Sequence, residues 1–243
     1  MRHPLGTSRN VVKERHALFT PEGFVPSSLP GWTNCVANVL ISPALGASFA
    51  QTLVALERTG RGKGGTGDTE IFAYVMEGGC SLNRRPLKAG HFAYLPPGTD
   101  YEFRATQNKT RVLLLQKSYE PLAGTSQPEL TTGDAATIKS QPFLGDPHAR
   151  LQTLLPEGAS FDMAVNIFTY DPGAALPFVE THVMEHGLLM LAGAGVYRLE
   201  DEWYPVQAGD VIWMAPFCPQ WFVALGTEPA IYIYYKNVNR SPL

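Results

Sequence analysis

Residues 173–193 have the sequence GAALPFVETHVMEHGLLMLAG, in which Glu180, His182 and His186 follow one another at spacings of two and four. In an extended backbone successive side chains alternate between two faces, so these three side chains would project to the same side. One carboxylate and two imidazoles on one face can hold a divalent metal and leave coordination positions open for a substrate. The stretch therefore predicts a metal site on β structure, and a catalytic one.

Part of the same stretch also fits a zinc-peptidase motif. Residues 182–186 match H-x-x-E-H, the motif of inverted zinc peptidases, in which one helix carries both histidines. However, Pro172, Gly173 and Pro177 precede the motif and Gly187 follows it, and this density of glycine and proline marks turns between short strands. Two core histidines beside a solvated glutamate would be the non-functional interpretation. Three candidate ligands in seven residues favour a site over either alternative.

Composition limits the classes of protein that remain. The chain has 243 residues and a formal net charge of −3, so it lacks the excess of basic residues that is typical of proteins that bind nucleic acid. No apolar run reaches membrane-spanning length, and the first twenty residues lack the apolar core of a signal peptide. The 3 cysteines are too few and too scattered for a disulfide framework or a zinc cluster. We expect a cytoplasmic homo-oligomer that acts on a small molecule and binds neither nucleic acid nor membrane.

The second half of the chain repeats the pattern of the first. Residues 90–97 match residues 209–216, both from glycine to proline, and residues 70–78 match residues 185–193, both from glutamate to glycine. Each copy contains a glycine-bounded hairpin, a turn and two further strands. With 20 prolines and 23 glycines among short apolar runs, these repeats predict an all-β protein of two tandem barrels.

The repeat also predicts where the domains lie. We expect an irregular N-terminal arm over residues 1–30, a first barrel over 31–120, a connector over 121–141 and a second barrel over 142–243. The second barrel would contain the metal and the active site.

The two barrels should differ in function. When the copies are aligned, Gly65, Gly67 and Ile71 occupy the three ligand positions of the first barrel. None of these side chains can bind a metal. We therefore expect the first barrel to lack the ion and to serve a structural role, or to cover the mouth of its partner.

The combined motifs resemble a known superfamily. The arrangement Gly-x(6)-Glu-x-His-x(3)-His-x(6)-Gly, followed by Gly-x(6)-Pro-x(3)-Gln, resembles the paired motifs of cupins. Most cupins have His where Glu180 stands, Glu at or near His186, and His where Gln220 stands. A two-module chain with Glu, His, His and Gln in this order looks like the bicupin family of (S)-ureidoglycine aminohydrolases, which act in allantoin and purine degradation. Residues 18–26 and 232–240 agree with the same family.

This resemblance implies a bicupin fold, two barrels of the double-stranded β-helix or jelly-roll type, and hydrolytic release of ammonia from the α-carbon of (S)-ureidoglycine. It implies manganese, or another divalent metal, with four ligands: Glu180, His182, His186 and Gln220. It places the substrate contacts on Glu180, Gln220, Tyr232 and Lys236, with Tyr197 lining the same pocket. Glu180 and Lys236 would be the catalytic residues.

The residues themselves are compatible with these assignments. A ligand set of nitrogen and oxygen without thiolate suits manganese or iron better than structural zinc. Four protein ligands around a six-coordinate ion leave two positions for a chelating substrate. In the last strand Tyr232, Tyr234 and Lys236 share one face. Lys236 could clamp a substrate oxygen or transfer a proton, and the sequence leaves both open.

Two other functions fit part of the pattern. Two histidines and one carboxylate also describe the ferrous dioxygenase site, which would not need Gln220. A non-enzymatic cupin that only binds a small ligand shares the fold, because fold alone does not imply function. A complete ligand set beside Lys236 argues against mere binding.

Overall fold

The computed structural model describes residues 8–240. Within this range the chain forms 20 β-strands and three 3-10 helices, at Pro21–Gly23, Pro43–Leu45 and Ala135–Thr137, and no α-helix. None of these helices has the length and apolar character needed to cross a membrane. The prediction of an all-β protein is confirmed.

The chain divides into two compact units. The N-terminal unit comprises residues 25–138 and 158–162, and the C-terminal unit comprises residues 8–24, 139–157 and 163–240. Each unit contains most of one copy of the repeat. Two segments cross over, however: residues 8–24 belong to the C-terminal unit and residues 158–162 to the N-terminal unit.

The N-terminal unit contains one nine-stranded sheet. Its strands are β3 (Trp32–Ile41), β4 (Phe49–Gly65), β5 (Thr69–Glu77), β6 (Gly79–Leu82), β7 (Arg85–Lys88), β8 (His91–Leu95), β9 (Asp100–Ala105), β10 (Thr110–Ser118) and β11 (Thr131–Asp134). They pair in the order β11-β8-β5-β10-β4-β9-β6-β7, and β3 also pairs with β4. The first half of β4 pairs with β10 and its last residues pair with β9, so this long strand carries the sheet around an apolar core.

The remaining strands belong to the C-terminal unit. They are β1 (Val11–Val12), β2 (His16–Phe19), β12 (Gln141–Phe143), β13 (Asp146–Thr153), β14 (Met163–Tyr170), β15 (His186–Ala192), β16 (Ala194–Leu199), β17 (Glu202–Gln207), β18 (Val211–Met214), β19 (Gln220–Leu225) and β20 (Ala230–Asn237). Eight form a sheet in the order β1-β2-β18-β15-β20-β14-β13-β12, and three form a second sheet in the order β17-β16-β19.

Two segments expected to be irregular take part in these sheets. Residues 8–24 contribute β1 and β2, because Ala17 and Leu18 bury their side chains where β2 pairs with β18. The expected connector contains β11, which pairs with β8. In both cases short runs with weak sequence patterns gain backbone hydrogen bonds from a strand that is distant in sequence.

Candidate active site

The predicted ligand segment is mostly loop. His186 begins β15, His182 lies in irregular backbone, and Glu180 forms a single-residue bridge to Gln220, the first residue of β19. The continuous strand that the even spacing suggested is therefore wrong before His186, because residues 181–185 belong to no strand.

The helix required by the peptidase pattern is also absent, since residues 182–186 contain no helical turn. Glu185, which would be catalytic in that pattern, is buried and accepts a hydrogen bond of 2.7 Å from the Trp213 indole.

Backbone hydrogen bonds hold the loop in place. Glu180 N–H donates to the Gln220 carbonyl at 2.8 Å, and Gln220 N–H donates to the Glu180 carbonyl at 2.9 Å. Phe217 N–H donates to the His182 carbonyl at 2.8 Å. Residues that belong to no strand thus acquire fixed positions.

The two histidines and Gln220 converge. The Nε2 atoms of His182 and His186 lie 3.1 Å apart, and the Gln220 amide nitrogen lies 3.1 Å from His182 Nε2. His186 Nδ1 is 3.1 Å from the carbonyl of Tyr235, an acceptor that places the proton on Nδ1 and leaves the Nε2 lone pair facing His182. Such an outer hydrogen bond is the usual way in which a protein orients a metal-binding imidazole.

Burial keeps these imidazoles neutral. It lowers the pKa of His186 to about 3, with the neighbouring His182 adding to the effect. Burial also lowers the pKa of His182. The pKa of the Glu180 carboxyl is raised by burial, which the positive charge of Lys236 opposes. The site therefore combines neutral imidazoles with a carboxyl group that holds its proton more readily than in water.

All the predicted site residues line one cavity of about 170 Å³ in the C-terminal unit. These seven residues are Glu180, His182, His186, Tyr197, Gln220, Tyr232 and Lys236. The cavity is also lined by residues that sequence reasoning did not assign to the site: Phe143, Phe168, Met184, Leu188, Met214 and Tyr234. Of these, only Tyr234 had a signal in the sequence, its alternation with Tyr232 and Lys236 in β20. The structure shows that these seven residues lie close together, whereas the roles assigned to them remain predictions.

A chain of hydroxyl groups supports the Gln220 side. The hydroxyls of Tyr170 and Tyr232 lie 3.2 Å apart, Tyr232 also hydrogen-bonds Tyr197, and the Tyr197 hydroxyl lies 3.3 Å from Gln220 Oε1. Burial raises the pKa of each of these tyrosines, so they act as neutral hydrogen-bonding groups.

The equivalent region of the N-terminal unit is different. Ile71 is 4% exposed within an apolar cluster, and Gly65 and Gly67 offer no ligand. Glu70, which aligns with Glu185, accepts a hydrogen bond from Tyr94, just as Glu185 does from Trp213. The N-terminal unit therefore shares with the C-terminal unit a buried glutamate and its aromatic hydrogen-bond donor, but it lacks side chains equivalent to the proposed metal ligands.

The donors of the C-terminal unit fit an ion that binds nitrogen and oxygen. Two neutral imidazole nitrogens meet at one point, and the Gln220 amide faces them through its nitrogen while its oxygen accepts from Tyr197, so the amide would have to turn over to present its oxygen to an ion. The Glu180 carboxylate lines the same cavity but does not complete a group of three His, Cys, Asp or Glu side chains around one point. No such group occurs elsewhere in residues 8–240. A four-ligand site would therefore require the Glu180 side chain to turn towards the histidines.

Comparison with known proteins agrees with the fold and with the earlier resemblance. The Cupin domain family model matches residues 166–235, and the two units with these curled sheets define a bicupin. The chain is 40% identical to (S)-ureidoglycine aminohydrolase of Arabidopsis thaliana over 98% of its length and 80% of that protein. It is 37% identical to the Escherichia coli enzyme of the same name, over 99% and 95% of the two chains.

A solved structure extends the match to three dimensions. The protein Ylba from E. coli superposes with a TM-score of 0.87 at 35% identity, covering 100% of this chain and 99% of that one. The chain belongs to the (S)-ureidoglycine aminohydrolase family.

Proposed function

We propose that this protein hydrolyses (S)-ureidoglycine to (S)-ureidoglycolate and ammonia, and that a divalent metal anchors the substrate. The family resemblance favours manganese as this metal. The observation that carries the proposal is the convergence of His182, His186 and Gln220 in a cavity that also contains Glu180 and Lys236. The names of the relatives support the substrate.

The reaction replaces one bond at the α-carbon. Water supplies the new carbon–oxygen bond, the carbon–nitrogen bond to the amine breaks, and the departing nitrogen takes a proton. When bound, the ion would supply positive charge that binds the carboxylate and amine of the substrate as a chelate.

The remaining steps belong to the chain's own side chains. Glu180, whose pKa is raised by burial, can take the proton that the attacking water loses. The Lys236 ammonium can donate a proton to the leaving nitrogen or hold a substrate oxygen. Phe168, Leu188 and Met214 line the cavity with apolar surface, which excludes water and strengthens these electrostatic interactions.

The test is an assay of ammonia release. Purified protein is first analysed for bound metal, and ammonia and dissolved oxygen are then followed with freshly generated ureidoglycine. We expect ammonia without oxygen uptake. Oxygen consumption coupled to turnover would support the ferrous dioxygenase instead, and metal or ligand binding without turnover would support a binding protein.

Cellular location and assembly are further parts of the proposal. Cys35, Cys80 and Cys218 are free thiols, which is compatible with a reducing compartment. We propose a cytoplasmic homo-oligomer. Cell fractionation and light scattering test the two statements separately.

A further inference from the structure

Asn166 and Tyr234 form a cross-strand pair beside the candidate active site. Asn166 on β14 lies directly opposite Tyr234 on β20, and their side chains hydrogen-bond. Asn166 is only 2% exposed. Burying an amide among aromatic side chains costs free energy unless each of its polar atoms has a hydrogen-bond partner, so packing alone does not explain Asn166.

The amide donates this hydrogen bond. Burial raises the pKa of Tyr234, and the bond from Asn166 opposes that rise, as a donor to the phenolic oxygen does. The Asn166 carbonyl oxygen has no partner among the described residues, in agreement with the NH₂ group facing Tyr234. Because the phenolic oxygen already accepts from Asn166, its own proton remains available for another acceptor.

Tyr234 is placed to use that proton on a ligand. Its ring lines the candidate active-site cavity and packs edge-on against His186, with the ring centroids 5.5 Å apart. A second cavity of about 150 Å³ in the same unit is lined by Asn166 and Lys236, and Lys236 also lines the first. The two cavities thus share Lys236, which lies on β20 two residues beyond Tyr234.

We propose that the Tyr234 hydroxyl donates a hydrogen bond to the carbonyl oxygen of the substrate's carbamoyl arm, and that Asn166 positions this hydroxyl. The inference rests on the proposed function, since ureidoglycine carries such an arm beyond its amine and carboxylate. The charged groups of the cavity, Glu180 and Lys236, suit the charged end of the substrate. A neutral donor suits the neutral carbonyl, which would otherwise lose its hydrogen bond to water on binding.

The experiment measures binding of three stable ligands to the metal-loaded protein by calorimetry. N-carbamoylglycine and N-acetylglycine both carry the carbonyl, whereas glycine lacks the arm. Tyr234→Phe should weaken the first two about five- to tenfold, as expected for one neutral hydrogen bond, and leave glycine unchanged. Tyr204→Phe is the matched control, because it removes one hydroxyl from the same unit but outside both cavities.

Asn166→Leu tests the positioning role. It should weaken the two carbonyl ligands by less than Tyr234→Phe does. The double variant should be no weaker than Tyr234→Phe alone, because Asn166 acts through Tyr234. Additive losses would mean that Asn166 acts independently and would overturn its positioning role. Thermal melts establish that each variant is folded.

Other outcomes overturn the contact itself. These are failure of the wild-type protein to bind N-carbamoylglycine, unchanged affinities in Tyr234→Phe, or an equal loss for glycine. The proposed function fails separately, if ammonia release is absent while the arm-dependent binding persists. Ammonia release with arm-independent binding would reject only the contact.

Discussion

Glu180 and Gln220 exchange two backbone hydrogen bonds of 2.8 and 2.9 Å, although one lies in a loop and the other begins β19. This bridge gives a loop residue the positional precision of a strand. Backbone atoms of the two proposed ligands are thereby fixed relative to each other, and metal binding would require only side-chain changes: the Glu180 carboxylate must turn towards the histidines and the Gln220 amide must turn its oxygen towards them. The candidate site is thus largely organised by the fold.

Removal of either histidine should abolish activity and most of the bound metal. Loss of an outer hydrogen-bond partner typically costs about 10–100-fold in metal affinity, so loss of a direct ligand in His182→Ala or His186→Ala should cost more. Metal content by mass spectrometry and ammonia release measure the two effects. Both variants should fold, because the apolar core of the unit is independent of the ion.

The control for these variants is His148→Ala. This histidine has a side chain that is 69% exposed, pairs with Asp171 and does not line the cavity. It should retain metal and activity. A His182 or His186 variant that behaves like His148→Ala would remove that residue from the ligand set.

Lys236→Ala should separate catalysis from metal binding. A protonated lysine cannot ligate the ion, so metal content should stay near that of the wild type. The rate of ammonia release should fall about a hundredfold or more if Lys236 transfers a proton. A change confined to KM would indicate a clamp for substrate oxygen. Kinetics equal to wild type would exclude Lys236 from the reaction.

Each chain should bind one metal ion, in the C-terminal unit. The equivalent positions of the N-terminal unit hold Gly65, Gly67 and the buried Ile71, none of which has a ligand side chain. Titration of metal-free protein should saturate at one equivalent, and His186→Ala should eliminate that binding. Two sites of equal affinity would contradict the alignment of the repeats.

Glu70 should make stability depend on pH through the N-terminal unit. Glu70, Asp162 and Lys117 are buried together, with Lys117 Nζ 2.5 Å from Asp162 and 3.9 Å from Glu70. One lysine cannot neutralise two carboxylates. Burial, followed by the proximity of Asp162, raises the pKa of Glu70 from 4.5 to about 9.

The direction of the pH effect follows from proton binding. The folded state retains a proton on Glu70 that the unfolded state loses above about pH 4.5, so this stabilisation is complete below that pH and is lost as the pH rises towards 9. Glu70→Gln stays neutral and should lack this decline in the free energy of unfolding, measured in urea between pH 5 and 9. The exposed Glu57→Gln should keep it. Parallel curves for wild type and Glu70→Gln would contradict the prediction.

Much of the fold was accessible from local patterns. The glycine and proline spacing predicted an all-β chain and its internal repeat, because turns depend on the residues within them. The seven proposed site residues lie in one cavity even though the strand expected through Glu180 and His182 is a loop. The strands β1, β2 and β11 were not predicted, since their stability comes from distant partners.

By itself the sequence determined which chemistry is available: two imidazoles, a carboxylate, an amide and a lysine in the second copy of a repeat, and glycines and isoleucine in the first. Only the tertiary structure decided which groups meet. Strand pairing places Asn166 opposite Tyr234, and the bridge to Gln220 places Glu180. The reason is physical: side-chain chemistry belongs to each residue, whereas register and convergence depend on hydrogen bonds and packing between segments far apart in the chain.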